Sequence, residues 1–315
     1  PYESCNLGSI NLSKMVLSDH SDVNWDKLRE TVRIATHFLD NIIDVNEFPI
    51  PEIEQETKSN RKIGLGVMGF SELLIKLSLR YNSEQARDKA KQVMKFITDE
   101  SRKMSEDLGK IKGSFPNFKQ SIWADTYDHL RNATVTTIAP TGSISVIAGC
   151  CSGIEPLFGV AFIRNIMHGT KLFEVNDLFE KELYNRNLYS SDLIKKIAQK
   201  GSIQDIQEIP ESLKRIFLTA FDIKPEDHVK MQAAFQQYTD NAVSKTVNLP
   251  SNSSIDDIKK IYFKAFQLKC KGITVYRYGT KKNQVLTSAK NIEDEEYVNV
   301  SLNYSGGCPS GICEM

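Results

Sequence analysis

The chain has 315 residues, 40% of them apolar, enough for one large core or two ordinary ones. Forty basic residues balance forty acidic ones, with no basic stripe along a predicted helix, so a nucleic-acid polymer is excluded as the expected partner. No apolar run approaches ~18 residues and the first residues resemble neither a signal nor a transit peptide, so no membrane span is expected and the cytoplasm is the default.

Pro1 to Val16 holds Cys5-Asn-Leu-Gly-Ser-Ile-Asn-Leu12, a short β-like piece around a single cysteine. From Asn24 to about Ile43, Trp25, Leu28, Val32, Ala35, Phe38 and Leu39 recur at helical spacing, which predicts a core-packed helix capped by Asp22 or Asn24. Pro49 and Pro51 are expected to end that region. Gly64-Leu-Gly66-Val-Met-Gly69 spells G-x-G-x-x-G, yet Lys58 to Lys62 before it form no apolar strand, so a dinucleotide fingerprint lacks its context. The glycines are instead expected to permit close packing where a helix through Phe70, Leu73, Leu74 and Leu77 meets its neighbours.

A long helix is predicted from Asn82 or Ser83 to about Leu108, with Gly109 as its stop. Gly113 to Trp123 reads as loop. Asn132 to Ile138 reads as a strand leading straight into Pro140-Thr141-Gly142-Ser143-Ile144-Ser145. Several helices follow between Leu172 and Phe235, with Pro210 and Pro225 placed for first turns. Ser244 to Leu249, a helix capped by Ser254 and Asp257, and Gly272 to Tyr276 together suggest a parallel βαβ unit. Beyond Tyr278 the chain turns polar and charged. The division expected is therefore a folded α/β domain over residues 1–278 and a flexible arm over 279–315. The chain opens at Pro1, without Met and inside a motif-like run, so an N-terminal portion is expected to be missing.

Six cysteines in a chain this long do not suggest a disulfide framework. Cys308 and Cys313, among Gly306, Gly307, Pro309 and Gly311, read as a tethered redox dithiol, because exchange needs an accessible thiolate. Half a zinc site is the other reading, but two more ligands would be needed and no His lies near in sequence, so no metal site is assigned. An arm of about 30 residues spans roughly 30 Å root-mean-square, enough to visit a pocket and then an external reductant. Cys5 is either a packed thiol or that dithiol's partner. Cys150, Cys151 and Cys270 read as buried small residues. The Pro140–Ser145 loop is either a plain turn or a cradle: its glycine lets a ligand approach and its free amides suit an anion, though it lacks the Lys of a Walker loop.

Residues 1–12, Asn60 to Phe70, Thr137 to Ser145 with Ser152-Gly-Ile-Glu-Pro156, Val243-Ser-Lys-Thr-Val-Asn-Leu-Pro250, Lys271 to Arg277 and the terminal C-x4-C together resemble the catalytic chain of ribonucleotide reductase, most closely the adenosylcobalamin-dependent class. The resemblance implies a ten-stranded α/β barrel, of which this chain would be the helix-rich C-terminal half, acting on a ribonucleotide substrate. It implies that Cys5 is one of two barrel cysteines oxidised as substrate is reduced, its partner lying in the absent half. Pro140, Thr141, Gly142, Ser143 and Ile144 would hold the substrate phosphates. Cys308 and Cys313 would regenerate Cys5 and be recycled by a thioredoxin-like reductant. The family's thiyl cysteine lies in an N-x-C-x-E loop that this sequence lacks, so the chain alone is expected to be inactive. Tyr276 would stand near that cysteine, although packing alone also explains it. Arg277 follows it where the iron-dependent class has a second tyrosine, which favours adenosylcobalamin. A homodimer is one expected form. The competing readings are the large subunit of an iron-dependent reductase, a non-catalytic thiol-disulfide carrier, and a dehydrogenase built on Gly64 to Gly69.

Overall fold

The computed structural model describes residues 1–165 and 171–280, with the dipeptides 286–287 and 298–299; Cys308 and Cys313 lie outside the described residues, as does most of the expected arm. Its contacts divide the chain into two compact units. The first comprises residues 1–156 and 223–277, and the second comprises 157–222 with the chain from Tyr278 onward.

Strand β1 (Asn6–Asn11) ends in a short turn at Leu12–Lys14, whose Ser13 amide donates to Asn11 Oδ1. Helix α1 (Trp25–Val45) is capped by Asn24 and buries Leu28, Val32, Leu39 and Ile43. Phe38, expected on that face, is 60% exposed. Pro51 opens helix α2 (Pro51–Asn60) where it was expected only to stop a region, because a first-turn residue needs no amide donor. Arg61 closes α2 in the left-handed conformation at φ 46°.

Strand β2 (Ile63–Met68) is buried throughout, so Gly64 and Gly66 lie inside a strand and only Gly69 stands in the turn after it. This corrects the expected helix packing. A Cβ on Gly64 would lie 2.6 Å from Thr137 Cγ2, and one on Gly66 would collide with the Thr137 carbonyl. The glycines admit a neighbouring strand. Gly69, at φ 71°, starts helix α3 (Phe70–Lys76). Helix α4 (Glu84–Lys112), capped by Ser83, runs through Gly109 to stop at Gly113. Gly109 is buried because the backbone of 129–131 crosses there, with Leu130 N 2.9 Å from where a Cβ would stand.

Residues 134–138 are extended and form a parallel bridge to β2 at Leu65–Thr136 and another at Ile138–Val243. They lead into α5 (Gly142–Ile147). Between Leu172 and Phe235 the expectation was helices alone, but the second unit begins with a hairpin of β3 (Ala161–Asn165) and β4 (Lys171–Val175). Helices α6 (Asp177–Asn185), α7 (Ser191–Lys200) and α8 (Glu211–Ile216) bury Phe179, Leu183, Ile197, Leu213 and Phe217. Phe179 meets Phe217 edge-on at 5.1 Å.

The chain returns to the first unit with α9 (Pro225–Gln236), which packs on α4 and on β5 (Thr246–Leu249). Helix α10 (Ile255–Gln267) carries the reciprocal capping box of Ser254 and Asp257 and leads to β6 (Thr274–Arg277), parallel to β5. The βαβ expectation thus holds. In the second unit, β7 (Leu286–Thr287) pairs with β3 and β8 (Val298–Asn299) with β4. No helix among the described residues is long and apolar enough to cross a membrane.

The pairings place the extended segments of the first unit in the order β1, β2, 134–138, 243–249, β6, every neighbouring pair parallel. Their carboxyl ends share one side, the side on which α/β sheets hold ligands.

Candidate active site

The third of these segments ends at Ile138 and runs into the Pro140–Ser145 loop. Thr141 adopts φ 53°, ψ 29°, an unfavourable left-handed conformation for a β-branched residue, and its side chain is buried. Local strain of that kind persists only where surroundings enforce it. The enforcing contact is the Gly153 amide, which donates to Thr141 Oγ1 at 2.7 Å. Beyond Thr141 the first amides of the turn, at Gly142, Ser143 and Ile144, have no intrahelical acceptor. A Cβ built on Gly142 would meet nothing within 4 Å, so open space lies over the loop. Pro140, Gly142, Ser143 and Ile144 are exposed.

A strap of five residues braces the loop from behind. The Cys151 amide donates to Glu72 Oε1 at 2.7 Å, and its carbonyl accepts from Gly69 N. Ser152 Oγ and Ser145 Oγ share a hydrogen bond of 2.9 Å. Ile154 O accepts from the buried Tyr81 hydroxyl at 2.6 Å. Glu155 Oε1 accepts from the Thr246 amide at 2.7 Å and Oε2 from Lys245 Nζ at 2.5 Å.

Lys245 has no exposed side-chain surface. Its other two protons go to Thr246 O at 2.6 Å and to His228 Nδ1 at 2.8 Å, so all three ammonium donors are used. An ammonium only donates, hence His228 Nδ1 is the accepting nitrogen. Burial pushes the Lys245 ammonium below its ordinary value, and the Glu155 carboxylate opposes that. Glu72 is the converse case: burial raises its carboxyl, while the Cys151 contacts and Lys76 pull it down. Its Oε2 is buried without a hydrogen-bond partner.

Cys5 is half-buried just before β1. Burial raises its thiol to about 11, Lys62 lowering it and Glu3 adding to the rise. At the other end of β1, Asn11 Nδ2 donates to Ala148 O at 3.2 Å, just beyond the loop. Cys5 thus precedes the first residue of β1, and Asn11 closes the strand against the end of α5. Tyr276 is half-buried in β6, opposite Asn248. Cys150, Cys151 and Cys270 all carry thiols raised by burial, which suits packing. Glu155, Lys245, His228, Glu72 and Tyr81 are the residues that sequence reasoning left without a role. Glu155 and Lys245 lie within runs already singled out, but no spacing signal joins residues 90 positions apart.

The family model described as "Ribonucleotide reductase, barrel domain" matches residues 1–276. The chain belongs to the ribonucleotide reductase barrel-domain family. A vitamin B12-dependent ribonucleoside-diphosphate reductase of Thermoplasma acidophilum is 47% identical over 329 residues, covering all of this chain and 43% of that protein. One of the same description from Mycobacterium tuberculosis is 45% identical over 315 residues, covering all of this chain and 45% of that protein. Among solved structures, the class Id ribonucleotide reductase alpha subunit of Actinobacillus ureae superposes with a TM-score of 0.73 at 23% identity, over 87% of this chain and 50% of that one. The chain thus spans less than half the length of the two curated relatives.

Proposed function

We propose that this chain is the phosphate-binding and disulfide-bearing half of an adenosylcobalamin-dependent ribonucleoside-diphosphate reductase. The observation that carries the reading is the braced Pro140–Ser145 loop at the carboxyl end of the middle segment of a parallel sheet, in a chain 47% identical throughout to a reductase of that description. The amides after Thr141 would take the diphosphate. In the net reaction the ribose C2′–O bond breaks, hydrogen takes its place and water leaves. Cys5 and a cysteine outside this chain supply two electrons and two protons and become a disulfide. Cys308 and Cys313 reduce that disulfide by exchange, and a thioredoxin-like protein reduces them in turn.

Adenosylcobalamin, when bound, is a source of the radical that such chemistry needs. Its cobalt arrives held by the corrin ring, so no set of protein metal ligands is required, and no residue of this chain is assigned to the cofactor. The steps assigned to this chain are binding, positioning and reduction.

The five parallel segments would be half of a ten-stranded barrel. Among the described residues β1 and β6 each pair on one side only, as edges awaiting the other half would. Residues 279–315 would be the arm that carries the dithiol, tethered to the second unit at β7 and β8; the complete enzyme would be cytoplasmic, and a homodimer is a natural assembly. The likeness to the Actinobacillus ureae class Id subunit, at 23% identity, speaks for fold alone and does not favour the iron-dependent reading.

The test joins this chain to the missing half and follows reduction of a ribonucleoside diphosphate. Cys5→Ser should abolish turnover with any reductant. Cys308→Ser with Cys313→Ser should abolish thioredoxin-driven turnover and spare turnover driven by dithiothreitol. Full activity of Cys5→Ser, or turnover without adenosylcobalamin, sinks the reading.

A further inference from the structure

The Pro140–Ser145 loop and the strap that follows it are fastened, at the entry of the one and the exit of the other, to one short stretch of the neighbouring strand. The loop's entry is held by the Ile138–Val243 bridge, with Ile138 N donating to Ala242 O at 3.1 Å and Ser244 N to Ile138 O at 2.8 Å. The strap's exit is held two and three residues further along, where Glu155 grips the Thr246 amide and Lys245 Nζ. Between those points the strap reaches Thr141 through Gly153, itself at φ 48° and close against the Ala139 carbonyl.

A buried ion pair is a poor stability device, since apolar residues of equal volume commonly serve as well. What such a pair supplies is direction. The two oxygens of Glu155 face different partners, and every donor of Lys245 is committed, so the carboxylate has one placement. Charge-assisted hydrogen bonds are short and angularly strict, and a slip at Glu155 would pass along two peptide units to Gly153 and thence to Thr141.

We propose that Glu155, fixed by Lys245 and His228, is a positioning residue for the substrate phosphates, setting the loop through the Gly153–Thr141 hydrogen bond. The inference rests on the phosphate reading of the loop. It assigns no contact with substrate to Glu155 and makes its effect one on binding.

The test uses the complete reductase, driven by dithiothreitol. Glu155→Ala should raise KM for the ribonucleoside diphosphate about tenfold, the effect of losing a charge-assisted hydrogen bond, with kcat changed less than about twofold. Inhibition by inorganic pyrophosphate should weaken by the same factor. Glu155→Gln keeps an acceptor for the Thr246 amide but turns a donor toward the Lys245 ammonium, so it should recover only part of the loss. If Glu155→Ala does not fold, Glu155→Gln combined with Lys245→Met removes both charges together and should raise KM about threefold over Glu155→Gln alone. An unchanged KM with a lowered melting temperature, or equal loss in kcat and kcat/KM, overturns the inference. Gly142→Ala separates it from its premise: the added methyl faces open space, so only a bound ligand would meet it. If Gly142→Ala leaves KM and pyrophosphate inhibition untouched, the phosphate reading itself fails. If it raises both while Glu155→Ala does not, only the positioning role fails.

Discussion

Arg61 places Nε at 3.0 Å and Nη2 at 2.8 Å from a single oxygen of the wholly buried Asp40. The same oxygen accepts from Asn132 Nδ2 at 3.0 Å, and Oδ2 takes Arg131 Nε at 3.3 Å. One carboxylate thereby ties α1, the α2–β2 junction and the start of the third extended segment. Asp40→Asn keeps the shape but removes the charge and turns an acceptor into a donor facing donors. It should cost about 3 kcal/mol, the usual penalty for breaking a buried pair from one side, measured as a lowered urea midpoint at constant m.

Gly66 is the closest approach between β2 and its neighbour. Gly66→Ala must push the strand off the Thr137 carbonyl, and Thr137 stands three residues before Pro140 of the loop. We expect a loss of about 3 kcal/mol or more, or insoluble protein, by urea unfolding. Wild-type stability in that variant would remove close packing as the reason for the glycine.

Glu72 makes stability fall as pH rises. Its folded carboxyl lies above the ordinary 4.5 because burial penalises the charge, so the native state holds the proton more tightly than the unfolded chain. That contribution is complete below the ordinary value and is lost as pH climbs through the raised one. Glu72→Gln keeps an acceptor for the Cys151 amide and carries no charge. Its stability relative to wild type should increase with pH across this window in urea titrations at stepped pH.

Cys5, with a thiol at about 11, is almost entirely protonated near neutrality. Its alkylation by iodoacetamide should be slow beside that of glutathione at the same pH and rise about tenfold per pH unit toward 11. A rate that levels off near pH 9 would show that the thiol is not shielded as its surroundings require. A low thiolate fraction would suit the role proposed for Cys5, in which the thiol gives hydrogen and electrons and is attacked as a disulfide afterwards.

Local signals carried much of the fold. The caps at Asn24, Ser83 and Ser254 and the period of α1, α4 and α10 depend on neighbours in sequence, and each helix stands within a few residues of its expected place. Pro51 and Gly109 were legible as special and mistaken in sense, since either residue can stop a helix or serve it, and only the crossing backbone at 129–131 decides for Gly109. The β3–β4 hairpin has strands of five residues without clean alternation, which local pattern cannot separate from helix. The loop at Pro140 to Ser145 announced itself by glycine and hydroxyls after a strand. Its bracing did not, because Glu72, Tyr81, His228 and Lys245 reach it only through the fold.

The second unit leaves the sheet at Leu157 and is back beside that residue at Ala220, whose amide donates to the Leu157 carbonyl at 2.7 Å next to the Leu157–Thr219 bridge. A segment that begins and ends at one hydrogen bond is a closed excursion. Apart from β7 and β8, which join it from beyond Tyr278, its length is invisible to the strands on either side, so evolution can enlarge or trim it without retuning them. The fold thereby gains a place where new surface can be tried.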